Sequence, residues 1–425
     1  MADKLVFKGV AAAVAQVDYV TPDNVEIGDV FTIRLTNRAG ETYLISFTAT
    51  ATTVQNVVEG LSALAATAST NGWGPWNEVV TTEDDTKLII TASVAGEPFW
   101  VTTGATNGGA ADTQTLTRSA STACGGPSIW SDADNWYNAT DATWGAIYAD
   151  GEEVEIPADL AVPIHGETYT ATKADTLMVR NGMDQAIGSE TYPLEVSLQA
   201  QTNRLVTLNG VAEQHWKIHY AAECRVRQAA TASGGEHGLN LTGTNCGELY
   251  VQPDTGEANS SVGVAAAAGE SAEWDTIRVS GGIVAIGADV IDNGEAHLNY
   301  LYVTGGEVLC EATVDEIHAD SGSGELIYRG GAATSVRAIS GGGAVIRWDS
   351  DANITSAYCG GGSQIDLDAG HGAMTITNTY LYSGYKWTDT ARRATYTNGL
   401  DLVGCSLANG DLDLGPHYTM TPSAI

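Results

Sequence analysis

The chain is short of positive charge: Lys and Arg number 19 against 52 Asp and Glu, a formal net charge of −33 over 425 residues. A surface this negative repels phosphate backbones and anionic lipids, so direct nucleic-acid or membrane binding is not expected. Any docking surface is expected to be locally neutral, apolar or basic. Nowhere do eighteen apolar residues run together, which argues against a membrane-spanning helix. Met1 to Val10 holds no apolar segment of signal-peptide length; Ala11 to Val14 is too short, and Asp18 interrupts it. The expectation is a protein finished in the cytosol where it is made. Six cysteines (Cys124, Cys224, Cys246, Cys310, Cys359, Cys405) form no C-x-x-C pair, so small buried thiols are expected. Cys224 and Cys246, one repeat apart, are placed to stack, with no further support for a disulfide. There is no P-loop, dinucleotide fingerprint or G-x-S-x-G, and no cofactor is expected.

What the chain has is glycine, 49 residues of it, often in pairs between short alternating strands. Ile277, Val279, Gly281, Gly282, Ile283, Val284 and Ile286 form one unit, and Leu301, Val303, Gly305, Gly306, Val308 and Leu309 the next. Units continue through Gly322 and Gly324, Gly341 and Gly342, and Gly360 and Gly361, ending with Leu402, Gly410, Leu412 and Leu414. With the long step from Gly361 to Gly410 counted as two, Gly282 to Gly410 covers six intervals of about 21 residues, the signature of stacked β-solenoid coils. Each coil buries one face in a narrow tube and bonds to the coils above and below, so no coil is stable alone.

Upstream, residues 15–118 read as a small α+β domain. Val25 to Leu35 and Tyr43 to Phe47 give strands, and Thr53 to Ala68 gives one amphipathic helix, with Thr52 and Gln55 as a capping box and Asn71-Gly72 as its end. The predicted division is an arm (1–14), a docking module (15–118), a Trp-rich linker and cap (119–150) and a solenoid (151–425). Overall the fold class is mainly β: a small α+β domain followed by a single-stranded parallel β-helix, expected to be right-handed. Trp130 and Trp136 are expected to cap the first coil, joined at the junction by Trp73, Trp76, Trp100 and Trp144, and Trp73, Trp76 and Trp100 are also interface candidates.

Candidate chemistry is confined to acidic pairs. Asp366 and Asp368, and likewise Asp411 and Asp413, leave the same strand face, and Asp349 and Asp351 follow a comparable turn. A solvated face is the favoured reading. Asp366 and Asp368 bridged by calcium, or these carboxylates working as the acid and base of glycoside hydrolysis, are the alternatives. His371 has no second ligand at metal spacing, and His215 and His219 lie in a strand-like stretch. Tyr380, Tyr382, Tyr385 and Trp387 form the densest aromatic run, read as a subunit interface or a carbohydrate-stacking surface.

Two resemblances add context. Val14-Ala-Gln-Val17, Glu26-Ile-Gly-Asp-Val-Phe-Thr32, Thr48-Ala-Thr-Ala51, Ala95-Gly-Glu-Pro-Phe99 and Asn107-Gly-Gly-Ala-Ala-Asp-Thr-Gln-Thr-Leu-Thr117 together resemble a β-rich module of tailed-bacteriophage structural proteins and some large bacterial surface proteins. It covers roughly a quarter of the chain and has no assigned chemistry. Trp130-Ser-Asp-Ala-Asp-Asn-Trp136 resembles the W-x-D-x-x-N-W opening of passenger-like β-helices. The module resemblance implies context and not reaction; with the missing export signal, the acidic surface and the lack of a catalytic constellation, the expectation is a non-enzymatic virion protein. A capsid decoration or cement protein docked on the major capsid protein or other virion proteins is favoured, because the chain is short for a fibre and shows no coiled-coil stalk, and a homotrimer is expected by analogy with β-solenoid viral proteins. A tailspike-like polysaccharide depolymerase or receptor-binding protein, with a surface glycan as partner, is the alternative, and a bacterial adhesin a further one.

Overall fold

A computed structural model describes residues 2–415 except 39, 200–204, 233–236, 254–258, 293–294, 320–321 and 340. Residues 416–425, counted above as solenoid, lie outside the described residues. The chain is mainly β, with a small amino-terminal domain and a carboxy-terminal solenoid of about 11 turns. Among the described residues there is one α-helix, and no helix is long and apolar enough to cross a membrane.

The expected six intervals are present. Ile283 lies beneath Glu307, Glu325, Val345, Gln364, Lys386 and Asp411 in successive parallel pairs. Inward side chains alternate with outward ones along each strand, so Val284, Val308, Leu326, Ile346 and Ile365 stack into a column, each at most 2% exposed. Gly282 and Gly306 turn corners at φ +79° and +78°. A Cβ on Gly306 would sit 2.5 Å from the Gly282 carbonyl oxygen, so both left-handed geometry and the approach of the neighbouring coil require glycine there.

The amino terminus differs from the expected arm. Strand β1 (Lys4–Phe7) pairs in parallel with Glu153–Ile156, the first long coil strand, so the chain begins inside the solenoid. The module is then inserted: β2 (Val17–Asp23), β3 (Val30–Asn37), β4 (Thr42–Thr48), α1 (Val54–Thr70), β5 (Val79–Asp84), β6 (Lys87–Ala92), β7 (Phe99–Thr106) and β8 (Thr115–Thr122). Strand β9 (Trp136–Asn138) returns antiparallel to β1. A pattern search finds contiguous units and so misses a strand separated from its partners by a whole domain.

Within the module, β5-β6-β2-β8 and β4-β3-β7 form two antiparallel sheets. Val57, Leu61, Ala65 and Ala68 of α1 join their shared core. The helix starts one residue later than the predicted box. Thr53, in extended geometry, accepts from the Asn56 N–H, while the Asn56 side chain accepts from the Thr50 and Ala51 N–H groups.

Two crossing segments fasten module to solenoid. Val14 and Gly125 form an antiparallel bridge, and the fully buried Asn135 accepts from the Ala11 N–H at 2.7 Å. The Asn135 amide also donates to the Gly126 and Ile129 carbonyls at 2.7 and 2.8 Å. Above this knot Phe7, Trp130, Trp136 and Tyr148 pack ring against ring, with Trp130 and Trp136 at 4.7 Å and 87°. Trp130 and Trp136 therefore close the first coil as expected. Trp144 instead stays half exposed against Tyr137.

Candidate functional site

The six acidic candidates do not assemble into one site. Asp349 accepts from Arg329 at 2.8 Å, and Asp351 from Arg393 at 2.9 Å and from the Gly372 N–H. Asp366 accepts from the Asp368 N–H at 3.0 Å, while Asp368 accepts from Thr390 and from the Ala391 N–H. Asp411 stacks over Lys386, and Thr388 lies in register between Asp366 and Asp413. Asp413 accepts from the Gly415 N–H. Each pair is thus engaged in fixing turns or is set between neutral and basic neighbours. Among the described residues no group of three or more His, Cys, Asp or Glu side chains is placed to hold a metal ion. All six cysteines are free, Cys224 lying in register with Leu249 and Cys246 with Trp274.

The aromatic candidates divide. Trp76, Tyr385 and Trp387 are core residues, each at most 1% exposed, so the expectation that they form an interface is corrected. Trp76 donates to the Tyr43 carbonyl, and Trp387 to the Tyr396 hydroxyl at 2.8 Å. Alternation hid this, because Tyr385 and Trp387 are the inward positions of their coil and Tyr380 is an outward one. Tyr382 is half-buried, and Trp73 is 43% exposed on Tyr43.

Trp100 joins the two domains. Its ring lies on Tyr192 of the solenoid at 3.9 Å and 4°. Beside this stack Arg38, Trp100, His165, Ser189 and Tyr192 line a small cavity of about 30 Å³, room for a water or two. His165 is 4% exposed, and its Nδ1 has no hydrogen-bond partner. Burial, and then the Arg38 guanidinium, lower its pKa to about 4. The folded value is depressed below that of the unfolded imidazole, so the stabilisation is complete above about pH 6.5 and is lost as pH falls from there toward 4. We expect His165→Gln to flatten the stability–pH curve over that window, where the native chain loses on the order of 3 kcal/mol. Equal slopes for the two proteins in urea titrations at each pH would contradict this.

Sequence reasoning missed one organised surface. On one outer sheet face Arg225, Tyr250, Arg278, Tyr302, His318, Arg337, Tyr358 and Tyr380 succeed one another in register, one per coil. Flat group stacks on flat group at the strand spacing of about 4.8 Å. Arg278 lies 4.0 Å from the Tyr302 ring, Tyr302 and His318 stack at 4.8 Å, and Tyr358 and Tyr380 at 4.9 Å. A parallel column holds Glu223, Glu248 and Glu316; these pair with Arg225, Arg278 and His318, so the stripe carries little net charge. Within the stack the edges are tied down as well: the Tyr250 hydroxyl donates to Glu248, the Arg225 Nε–H donates to Glu223, and Arg278 pairs with Glu248. The signal was present: Arg225-Val226, Tyr250-Val251, Arg278-Val279 and Tyr302-Val303 each put a flat polar residue just before an inward valine. We expect Arg278→Ala to cost about 1–2 kcal/mol, with Arg278→Lys recovering less than half, because an ammonium cannot stack. A difference below about 0.3 kcal/mol in chemical denaturation would show the stripe to be energetically idle.

A second polar line crosses the other sheet. Glu195 meets His219 at 2.8 Å, and His219 meets the Thr244 hydroxyl at 2.7 Å. Burial raises the Glu195 pKa, but bonds from His219, Thr168 and Lys217 outweigh it and hold the carboxyl below its usual value. Lys217 reaches the same carboxylate at 3.1 Å, so the line is a neutralised surface network. His215 shares this outward face and pairs with Glu213.

No protein-family model, curated protein or solved structure matches the chain.

Proposed function

We propose that the chain is a structural component of a tailed-phage virion, a capsid decoration protein made in the host cytoplasm that docks on the head shell through residues 15–124. The observation that carries this reading is the insertion itself. The module is tied into the first coil at both ends by the Val14–Gly125 bridge and the buried Asn135, and braced by the Trp100–Tyr192 stack. Such an adaptor transmits load to a continuous core without a flexible linker. Five of the six carboxylates fix turns or meet guanidinium groups and Asp411 lies in register with Lys386, which supports a mechanical role rather than sugar hydrolysis. The chain acts as a homotrimer at local three-fold positions, where contacts of about a thousand Å² make a specific interface. Immunogold labelling of purified particles with antibody to the chain tests the assignment. Regular labelling of heads is expected; label confined to tails or to the cell envelope would overturn it.

The tailspike-like alternative is favoured by one observation, the column of Tyr and Arg side chains on one outer sheet face, because aromatic and polar groups in a row suit contact with a sugar chain. Retention of capsular polysaccharide by the native chain, lost in Tyr302→Ala, would move the assignment there.

A further inference from the structure

One stretch of solenoid breaks the rule that outward positions are polar. Ile283, Val284, Ala285 and Ile286 run together, as do Val308, Leu309 and Cys310, then Leu326, Ile327 and Tyr328. Strands that read as continuous apolar runs are those covered on both faces. Here Val284, Val308 and Leu326 fill the tube, and Ala285, Leu309 and Ile327 stack outside it in register, with Ile283 beside them at 41% exposure. Together they floor a groove of about 280 Å³. His237 closes one end: its ring lies over Gly263, which has no side chain to obstruct it, and meets the Ser261 hydroxyl at 2.9 Å. Burial lowers the His237 pKa, so this wall is uncharged at neutral pH. The other end is the Glu325–Arg347 pair at 3.1 Å. Glu307, exposed, stands over Glu325 along one side.

We infer that this groove docks an extended, basic segment of another protein, laying aliphatic side chains on Ala285, Leu309 and Ile327 and a Lys or Arg against Glu307. Charge selects this occupant. A second copy brings a further formal charge of −33 to an acidic rim, whereas a segment alternating aliphatic with basic residues matches both columns, which sit side by side on each strand. Alternation of apolar and basic residues is also what an extended segment needs to place one kind on the floor and the other at the rim.

The test uses the full chain and synthetic peptides alternating Ile with Lys, Ile with Glu, and Ser with Lys, measured by fluorescence anisotropy. The native chain should bind the Ile/Lys peptide at least tenfold more tightly than either control. Leu309→Asn with Ile327→Asn, which leaves charge unchanged, should remove that advantage; Glu307→Gln should weaken binding and its salt dependence. Unaltered circular dichroism and melting would establish that the variants are folded. Equal binding by the native and double-Asn chains would reduce the effect to general charge attraction and overturn the proposal. So would a native dimer, seen by sedimentation, that the double-Asn variant dissolves, since that would assign the groove to a second copy. None of these readouts uses phage particles, so failed particle labelling leaves the groove standing, and failed peptide binding leaves the virion assignment standing.

Discussion

Replacing Arg393 by Ala is expected to destabilise the last coils by about 4 kcal/mol or more. Its guanidinium, only 6% exposed with the rest of the residue, donates to the carbonyls of Trp348 at 3.1 Å, Ser350 at 2.8 Å and Gly372 at 2.9 Å, to that of Leu367, and to Asp351. One side chain therefore satisfies corner carbonyls on successive coils that have turned away from the sheet ladder. Removing it leaves several buried acceptors unmet, and each such loss costs about 1–3 kcal/mol. Lysine cannot substitute, since three donors on one nitrogen do not reach acceptors spread around a planar fork. Gly370 belongs to the same device, because a Cβ there would collide with the guanidinium, so Gly370→Ala should reproduce much of the loss. Hydrogen exchange should show Gln364–Asp366 and Lys386–Thr388 opening first, ahead of the amino-terminal coils. A loss under about 1 kcal/mol in urea titration, or uniform loosening of the whole chain, would contradict this account.

Excising the module has the second large effect, and its sign depends on where the cut falls. Removing residues 1–118 takes β1 and Phe7 with the module. Phe7 is wholly buried between Trp130 and Trp136, and deleting a buried ring of that size alone costs about 3–5 kcal/mol. The deletion also uncovers the Glu153–Ile156 edge, and aggregation is expected. Joining residue 14 to residue 125 through two glycines, in contrast, should leave a soluble solenoid with one cooperative transition, because the Val14 N–H already bonds the Gly125 carbonyl at 2.8 Å. Similar behaviour of the two shortened chains in thermal melts and light scattering would show that β1 is dispensable.

The glycine pairs and alternating strands made the solenoid legible because each coil repeats the same local solution to the same corner. The helix was legible for a similar reason, its apolar face recurring within seventeen residues of chain. What stayed hidden depended on register. The acidic pairs share a face when read along one strand, which is what the calcium and hydrolysis alternatives rested on, and Thr388 and Lys386 on the intervening coil separate or neutralise them. The Arg and Tyr column, conversely, scatters over more than 150 residues and becomes a surface only once the coils are aligned. Arg393 was invisible for the opposite reason: in a chain this acidic an arginine reads as a surface counter-charge, and only its carbonyl partners reveal a buried staple.

The proposed role is for the inserted module to fasten the solenoid to a phage head. Its most direct measurement is add-back: particles assembled from a genome lacking this reading frame are mixed with the intact chain or with the form joined from residue 14 to residue 125, and bound protein is counted after sedimentation and imaged by cryo-electron microscopy. The account predicts saturable head decoration by the intact chain and none by the folded, module-free solenoid. Equal decoration by both forms, or no binding of the intact chain to heads, would contradict it.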